Sequence, residues 1–292
     1  MPKRHVQFVA VVALTLLCSP YARAAETAAP PNLSLQIELR PGTSVQSIAD
    51  TAVETSPTRV TFEEGQPITV TFIISNRGTE PYSHFDRSYD RSGRMPEYAL
   101  EVTDSQGVPQ SDPRQGGWLL GGAGQVRQLA PNQSFSKEIC LNEWVMPLPP
   151  GKYTVCGLFN PVLLGKGDYP RDTPWVRSAP VEIVIVPRVD MKAYIERIGH
   201  VAQITEGDLQ KKLIFCLGYT GSPEALSYLV PALFERSDAA YSAYEAFRYL
   251  RDTQACAAAL LAAVEKHGST GRVDDLLQRY QVPRERTLQY LV

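Results

Sequence analysis

Two domains of different class are predicted from the sequence, an antiparallel β-sandwich followed by an α-helical array. Three observations carry this. In the first half, apolar and polar residues alternate strictly in short runs, clearest where Ile68, Val70, Phe72 and Ile74 face away from Thr69, Thr71 and Ser75. About seven such runs, closed by Gly and Pro turns, follow one another with no helical pattern between them. Behind Pro187 the apolar spacing changes to about 3.6 residues, and part of that pattern recurs after a little over thirty residues.

The N-terminus has the form of a signal peptide over residues 1–24. Basic Lys3, Arg4 and His5 precede an apolar stretch from Val6 to Cys18, and Ala22-Arg23-Ala24 stands before Ala25. That stretch is short for a membrane span, and Leu17 stands where a lipobox has a small residue, so Cys18 is not expected to be lipidated. Cleavage removes Lys3, Arg4 and Arg23 and no acidic residue, making the chain more acidic than its formal charge of -2. Nucleic acid and anionic membranes are therefore disfavoured as partners. The 292 residues, 43% hydrophobic and 21% charged, are enough for two domains with separate cores.

After a flexible leader over 25–32, the sandwich is expected over 33–188. Leu33, Leu35, Ile37 and Leu39 form its first strand, and Pro41 to Thr58 a long connection. Gly65-Gln66-Pro67 turns into the Ile68 strand, which stops at Asn76-Arg77-Gly78. Further strands carry Tyr98, Leu100 and Val102, then Phe135, Lys137 and Ile139, then Tyr153 and Val155, and last Val181, Ile183 and Ile185. Asp104-Ser105-Gln106-Gly107, Ala130-Pro131-Asn132-Gln133 and Leu148-Pro149-Pro150-Gly151 are the turns between them.

The helical array is expected over 189–292. Asp190 caps a first helix with Tyr194, Ile195, Ile198 and Val201 on one stripe, and Thr205-Glu206-Gly207-Asp208 has the form of a capping box for a second. Ser222-Pro223-Glu224 opens a third, Ser237-Asp238 a fourth and Thr253 a fifth that ends at Gly268.

The runs G-Q-P-I-T-V-T-F-I-I-S-N-R-G, Y-A-L-E-V-T-D-S-Q-G, L-A-P-N-Q-S-F and L-P-P-G-K-Y-T-V, in that order, resemble the immunoglobulin-like domains of secreted bacterial proteins and the sandwich of BsuPI-type proteinase inhibitors. The resemblance implies that Tyr153 closes a corner over the core, and that Asn132 takes the positive φ usual for glycine at its turn. L-G-Y-T-G-S-P-E-A-L-S-Y-L-V-P-A-L from Leu217, overlaid on the stretch from Leu250, resembles HEAT repeats.

Four cysteines remain after cleavage. Cys140 and Cys156 both have the parity opposite to the inward residues of their strands, so a bridge between them is expected, worth about 3 kcal/mol by loop closure; buried thiols are the alternative. The sequence contains no H-E-x-x-H, paired C-x-x-C, G-x-S-x-G or G-x-x-x-x-G-K-[ST], and neither cofactor nor metal is expected. The glycine run Gly116 to Gly124 lacks the Lys of a phosphate loop. Asp86 and Asp90 alternate with arginines that repel a cation.

In immunoglobulin strand order the connections Gly78 to Glu97 and Asn160 to Arg177 lie at one end of the sandwich. They carry Tyr82, Phe85, Arg87, Tyr89, Arg91 and Arg94 on one side, with Tyr169, Arg171 and Trp175 on the other, residue types that concentrate binding energy at interfaces. The expected function is an exported, non-enzymatic binding or scaffolding protein with a protein partner. A proteinase inhibitor using the 78–97 connection is the second reading, and a hydrolase without a motif the third.

Overall fold

The computed structural model describes residues 33–42, 55–56, 59–87, 97–114, 124–160, 175–235 and 238–283. Among them are eleven strands, β1 (Leu33–Pro41), β2 (Thr55–Ser56), β3 (Arg59–Glu63), β4 (Ile68–Asn76), β5 (Tyr82–Arg87), β6 (Tyr98–Asp104), β7 (Gly124–Leu129), β8 (Ser134–Cys140), β9 (Gly151–Phe159), β10 (Val176–Arg177) and β11 (Val181–Val186). Six helices follow, α1 (Met191–Ile204), α2 (Gly207–Tyr219), α3 (Leu226–Leu233), α4 (Asp238–Ala246), α5 (Thr253–His267) and α6 (Gly271–Arg279).

The β domain is an immunoglobulin-like sandwich. One sheet has the order β1-β4-β8, all antiparallel. In the other, β9 has β6 on one side and β10 with β11 on the other, while β3 joins β11 in parallel, Val60 opposite Ile183. The alternation predicted for β4 is the packing pattern observed: Ile68, Val70, Phe72 and Ile74 are buried, against Val102, Val155 and Ile183 among others. Tyr98 sits between the two sheets' rings, with Phe72 edge-on at 5.2 Å and Phe159 at 5.4 Å. Tyr153 makes the expected corner, its hydroxyl donating to the Pro149 carbonyl at 2.8 Å, and Asn132 has φ 63°.

At the end of β4 the ladder to β8 breaks and resumes as a two-stranded ribbon, β5 with β7, from Tyr82 opposite Leu129 to Arg87 opposite Gly124. Asn76 holds the break. Its buried amide donates to the carbonyls of Glu80 (2.8 Å) and Leu129 (2.9 Å), and its Oδ1 accepts from the Gly78 N–H at 2.9 Å.

The helices have a separate core and stack in two rows. α2 packs on α4 and α4 on α6, while α3 packs on α5, with α1 against α2 and α3 against α4 joining the rows. Asp190 caps α1 as expected, its carboxylate accepting from the Ala193 N–H at 2.8 Å. The capping box at 205–208 does not form. Gly207 has φ +70°, outside helical geometry, and the Thr205 hydroxyl donates back to the Val201 carbonyl at 2.8 Å. Thr253 opens α5 as expected, and the cap before it is Asp252, which accepts from the Ala255 N–H at 2.8 Å. Helix α6, capped by Thr270, had no counterpart in the sequence reading.

The Cys140 to Cys156 bridge is also corrected. Both side chains do face outward, but from different sheets: Cys140 ends β8 and Cys156 lies on β9, so they leave opposite faces of the sandwich. The Cys156 thiol contacts the Ser178 carbonyl at 3.3 Å, whereas Cys140 packs against the helical core, and both are free.

Candidate binding surfaces

The two connections singled out in the sequence leave the sandwich at one end. β4 and β9 end there, and β6, β8 and β10 begin there. Their bases are tied, because the Asn160 N–H donates to the Glu97 carbonyl at 2.7 Å. The β5–β7 ribbon belongs to the same end. Its second strand shows Val126 at 54% exposure, beside exposed Arg127 and Gln128.

The predicted partner-binding residues divide into three groups. Tyr82 and Trp175 are half-buried and pack against the sandwich core, so these two rings serve the domain's own packing. Burial pushes the Tyr82 phenol up to about 12, so it stays protonated. Phe85 and Arg87 lie on β5, opposite Val126 and Gly124. Tyr89, Arg91, Arg94, Tyr169 and Arg171 lie outside the described residues. On the neighbouring outer face Arg177 makes a bidentate pair with Glu101, at 3.2 and 2.5 Å, tying β10 to β6 two strands away.

Sequence reasoning missed the second surface, the seam between the domains. Arg188, only 6% exposed at its side chain, pairs with Glu63 at 2.6 Å and donates from Nε to the Glu64 carbonyl at 3.0 Å. Its guanidinium lies 3.7 Å from the ring centroid of Tyr194 on α1, so one side chain joins β3, the linker and the first helix. On the other flank Glu245 of α4 pairs with Arg248 at 3.0 Å and with Arg114, from the segment after β6, at 3.6 Å. Arg251 donates to the Pro147 carbonyl. Apart from Glu245 and Arg248, these partners are far apart in sequence and no local pattern announces them.

Among the described residues the seam fixes orientation through these pairs. A cavity of about 10 Å³ between Gln66, Leu141, Val145, Leu148 and Tyr219 holds at most one water. Among the described residues no group of three or more His, Cys, Asp or Glu is placed to hold a metal ion, and no helix is long and apolar enough to cross a membrane. Replacing Arg188 by Met keeps the aliphatic stem but strands Glu63, which is 25% exposed and recovers part of its solvation. A loss of about 2 kcal/mol in urea denaturation is expected. A loss below about 0.5 kcal/mol, the scale of a surface pair, would show that the seam contributes little to stability.

No family model matches the chain, and a search of the curated proteins finds no match. Among solved structures, the CARDB domain of the PF1109 protein from Pyrococcus furiosus is 10% identical, over 54% of this chain and 96% of that one, at a TM-score of 0.24. The PapD-like domain 7 of human CEP192 is 13% identical over 64% of this chain and 99% of that one, at 0.21. A family 123 glycoside hydrolase from Clostridium perfringens is 10% identical over 69% of this chain and 35% of that one, at 0.28. Likenesses at these values bear on neither activity nor partner.

Proposed function

We propose that this is an exported, non-enzymatic binding or scaffolding protein that holds a protein partner at the ribbon end of its sandwich, with the helical array as a rigidly attached second surface. The observation that carries the reading is the hydrogen bond between Asn160 and Glu97, which clamps together the bases of two connections rich in aromatic and arginine residues. Beside them the ribbon adds an exposed apolar contact at Val126. The two rows of helices, with starts recurring at roughly thirty residues, support a HEAT-type array as the second surface. Export rests on the signal-like segment 1–24.

The test is affinity capture from the envelope fraction of the source organism, comparing wild type with Tyr89→Ala and Val126→Asp. Val126 is 54% exposed, so Val126→Asp is expected to keep the wild-type denaturation midpoint, and both variants are expected to weaken capture by more than about 1 kcal/mol. Trp175→Ala is not a suitable variant, because that ring packs on the core. Equal capture by both folded variants would remove the ribbon end from consideration. Inhibition of trypsin or subtilisin by the wild-type chain would instead favour the inhibitor reading of the 78–97 connection.

A further inference from the structure

The three-stranded sheet runs β1-β4-β8, so among the described residues β8 is an end strand of the sandwich. Which of its backbone groups face outward follows from the bonds of β4. The Asn76 N–H donates to the Gln133 carbonyl, the Asn76 carbonyl accepts from the Asn132 N–H, and the Ile68 N–H donates to Asn142 Oδ1, all on the β8 side. Backbone groups alternate along a strand, so Val70, Phe72 and Ile74 also face β8, where their register partners are Ile139, Lys137 and Phe135. The N–H and C=O groups of Ser134, Ser136 and Glu138 therefore point the other way, out of the sheet edge. These three residues are exposed.

We infer that this edge pairs with the same edge of a second copy of the chain, giving a two-fold dimer with one continuous sheet, β1-β4-β8-β8-β4-β1. The strand's own sequence selects the occupant. Because the outward groups alternate, an antiparallel pair about a two-fold axis has only every second register open to it. With Ser136 opposite the partner's Ser136, Ser134 meets the partner's Glu138 and Phe135 meets the partner's Lys137. Hydroxyl then faces hydroxyl or carboxylate, ammonium faces an aromatic ring, and no like charges are opposed.

The neighbouring registers are worse. One step one way sets Lys137 opposite the partner's Lys137, and the next sets Glu138 opposite the partner's Glu138; one step the other way leaves only residues 134–136 paired. Lys137 lies on the core-facing side of an end strand, where a charge obstructs pairing with an arbitrary apolar strand. Only the Ser136-centred register gives it a ring, so the same residue that disfavours other strands favours this one. Residues 134–138 make a short ladder, and the dimer is expected to be in concentration-dependent exchange with monomer. Since β8 begins at the ribbon end, antiparallel pairing turns the two ribbon ends in opposite directions, and one dimer holds two partner molecules at opposite poles. That consequence rests on the proposed function; the dimer does not.

The test is sedimentation equilibrium of the purified full chain over a concentration series, which is expected to show monomer and dimer in exchange. Ser136→Lys and Ser136→Glu each oppose like charges at the two-fold axis and are expected to weaken the dimer by about tenfold or more. Both should keep the wild-type denaturation midpoint, since Ser136 is exposed, and the uncharged Ser136→Thr should keep the dimer. An equimolar mixture of Ser136→Lys and Ser136→Glu is expected to recover the dimer, because lysine then faces glutamate. A wild-type chain that stays monomeric at its highest soluble concentration, a dimer that neither charged variant weakens, or variants that do not recover each other on mixing would overturn the pairing. The measurement reads mass alone, so its outcome is independent of partner capture at the ribbon end.

Discussion

Gly218→Leu is expected to lower stability by at least about 3 kcal/mol, at the top of the range for overpacking a core. Gly218 is buried on α2 against α4. A Cβ there would stand 2.8 Å from the Ala246 carbonyl oxygen and 3.0 Å from the Ala246 Cβ. The obstacle is backbone, so no rotamer change relieves it, and α2 and α4 must separate. That separation passes to α6, which packs on α4, and to the seam, which Glu245 and Arg251 reach from the same region. Gly199 on α1 is the control. Its added Cβ would stand 2.4 Å from the Tyr228 ring, but that ring is half-buried and can swing toward solvent, so Gly199→Ala is expected to cost only about 1 kcal/mol. Urea denaturation of both variants makes the comparison. If Gly218→Leu loses no more than Gly199→Ala, the two helices do not meet at backbone distance.

What the sequence revealed was whatever depends on a strand's or helix's own neighbours. The faces of β4 follow from the alternation of Ile68 to Ile74, while the corner at Tyr153 was implied by the resemblance that L-P-P-G-K-Y-T-V carries. The common end of the two long connections followed once strand order was assumed, and the Asn160 to Glu97 bond is its physical form. Sheet membership was not legible. Val60-Thr61-Phe62 precedes β4 directly, yet crosses to pair in parallel with β11, because Phe62 fills the core from that side. The cysteine error has the same cause: parity tells which side of a strand a residue occupies, but not which sheet holds the strand. Capping at Asp190 depends on a three-residue span and was legible. The seam depends on Arg188 meeting Glu63, its neighbour across the β3–β11 pairing but far from it in sequence, and was not. Of the residues expected to bind a partner, Tyr82 and Trp175 pack on the core, which residue type alone does not tell.

Asn76→Ala is expected to cost about 4 kcal/mol and to release the ribbon that the binding proposal depends on. The side chain is fully buried and makes three hydrogen bonds, two donated and one accepted. Truncation leaves the Glu80 and Leu129 carbonyls and the Gly78 N–H without that partner, each costing about 1–3 kcal/mol where water cannot enter, and solvent entry at the turn recovers part of the sum. The backbone bonds at the same residue, to Gln133 at 2.9 Å and from Asn132 at 2.8 Å, remain possible, so β4 and β8 stay paired. The effect should therefore be concentrated beyond the break. Asn76→Asp is no rescue: its Oδ atoms still accept from Gly78, but the amide donors are gone and a carboxylate faces two carbonyl oxygens. Hydrogen exchange separates local from global damage. Amides of β5 and β7 should lose protection at denaturant concentrations where those of β1 and β9 keep theirs. A cost below about 1 kcal/mol with unchanged exchange in the ribbon would mean that Asn76 does not anchor it.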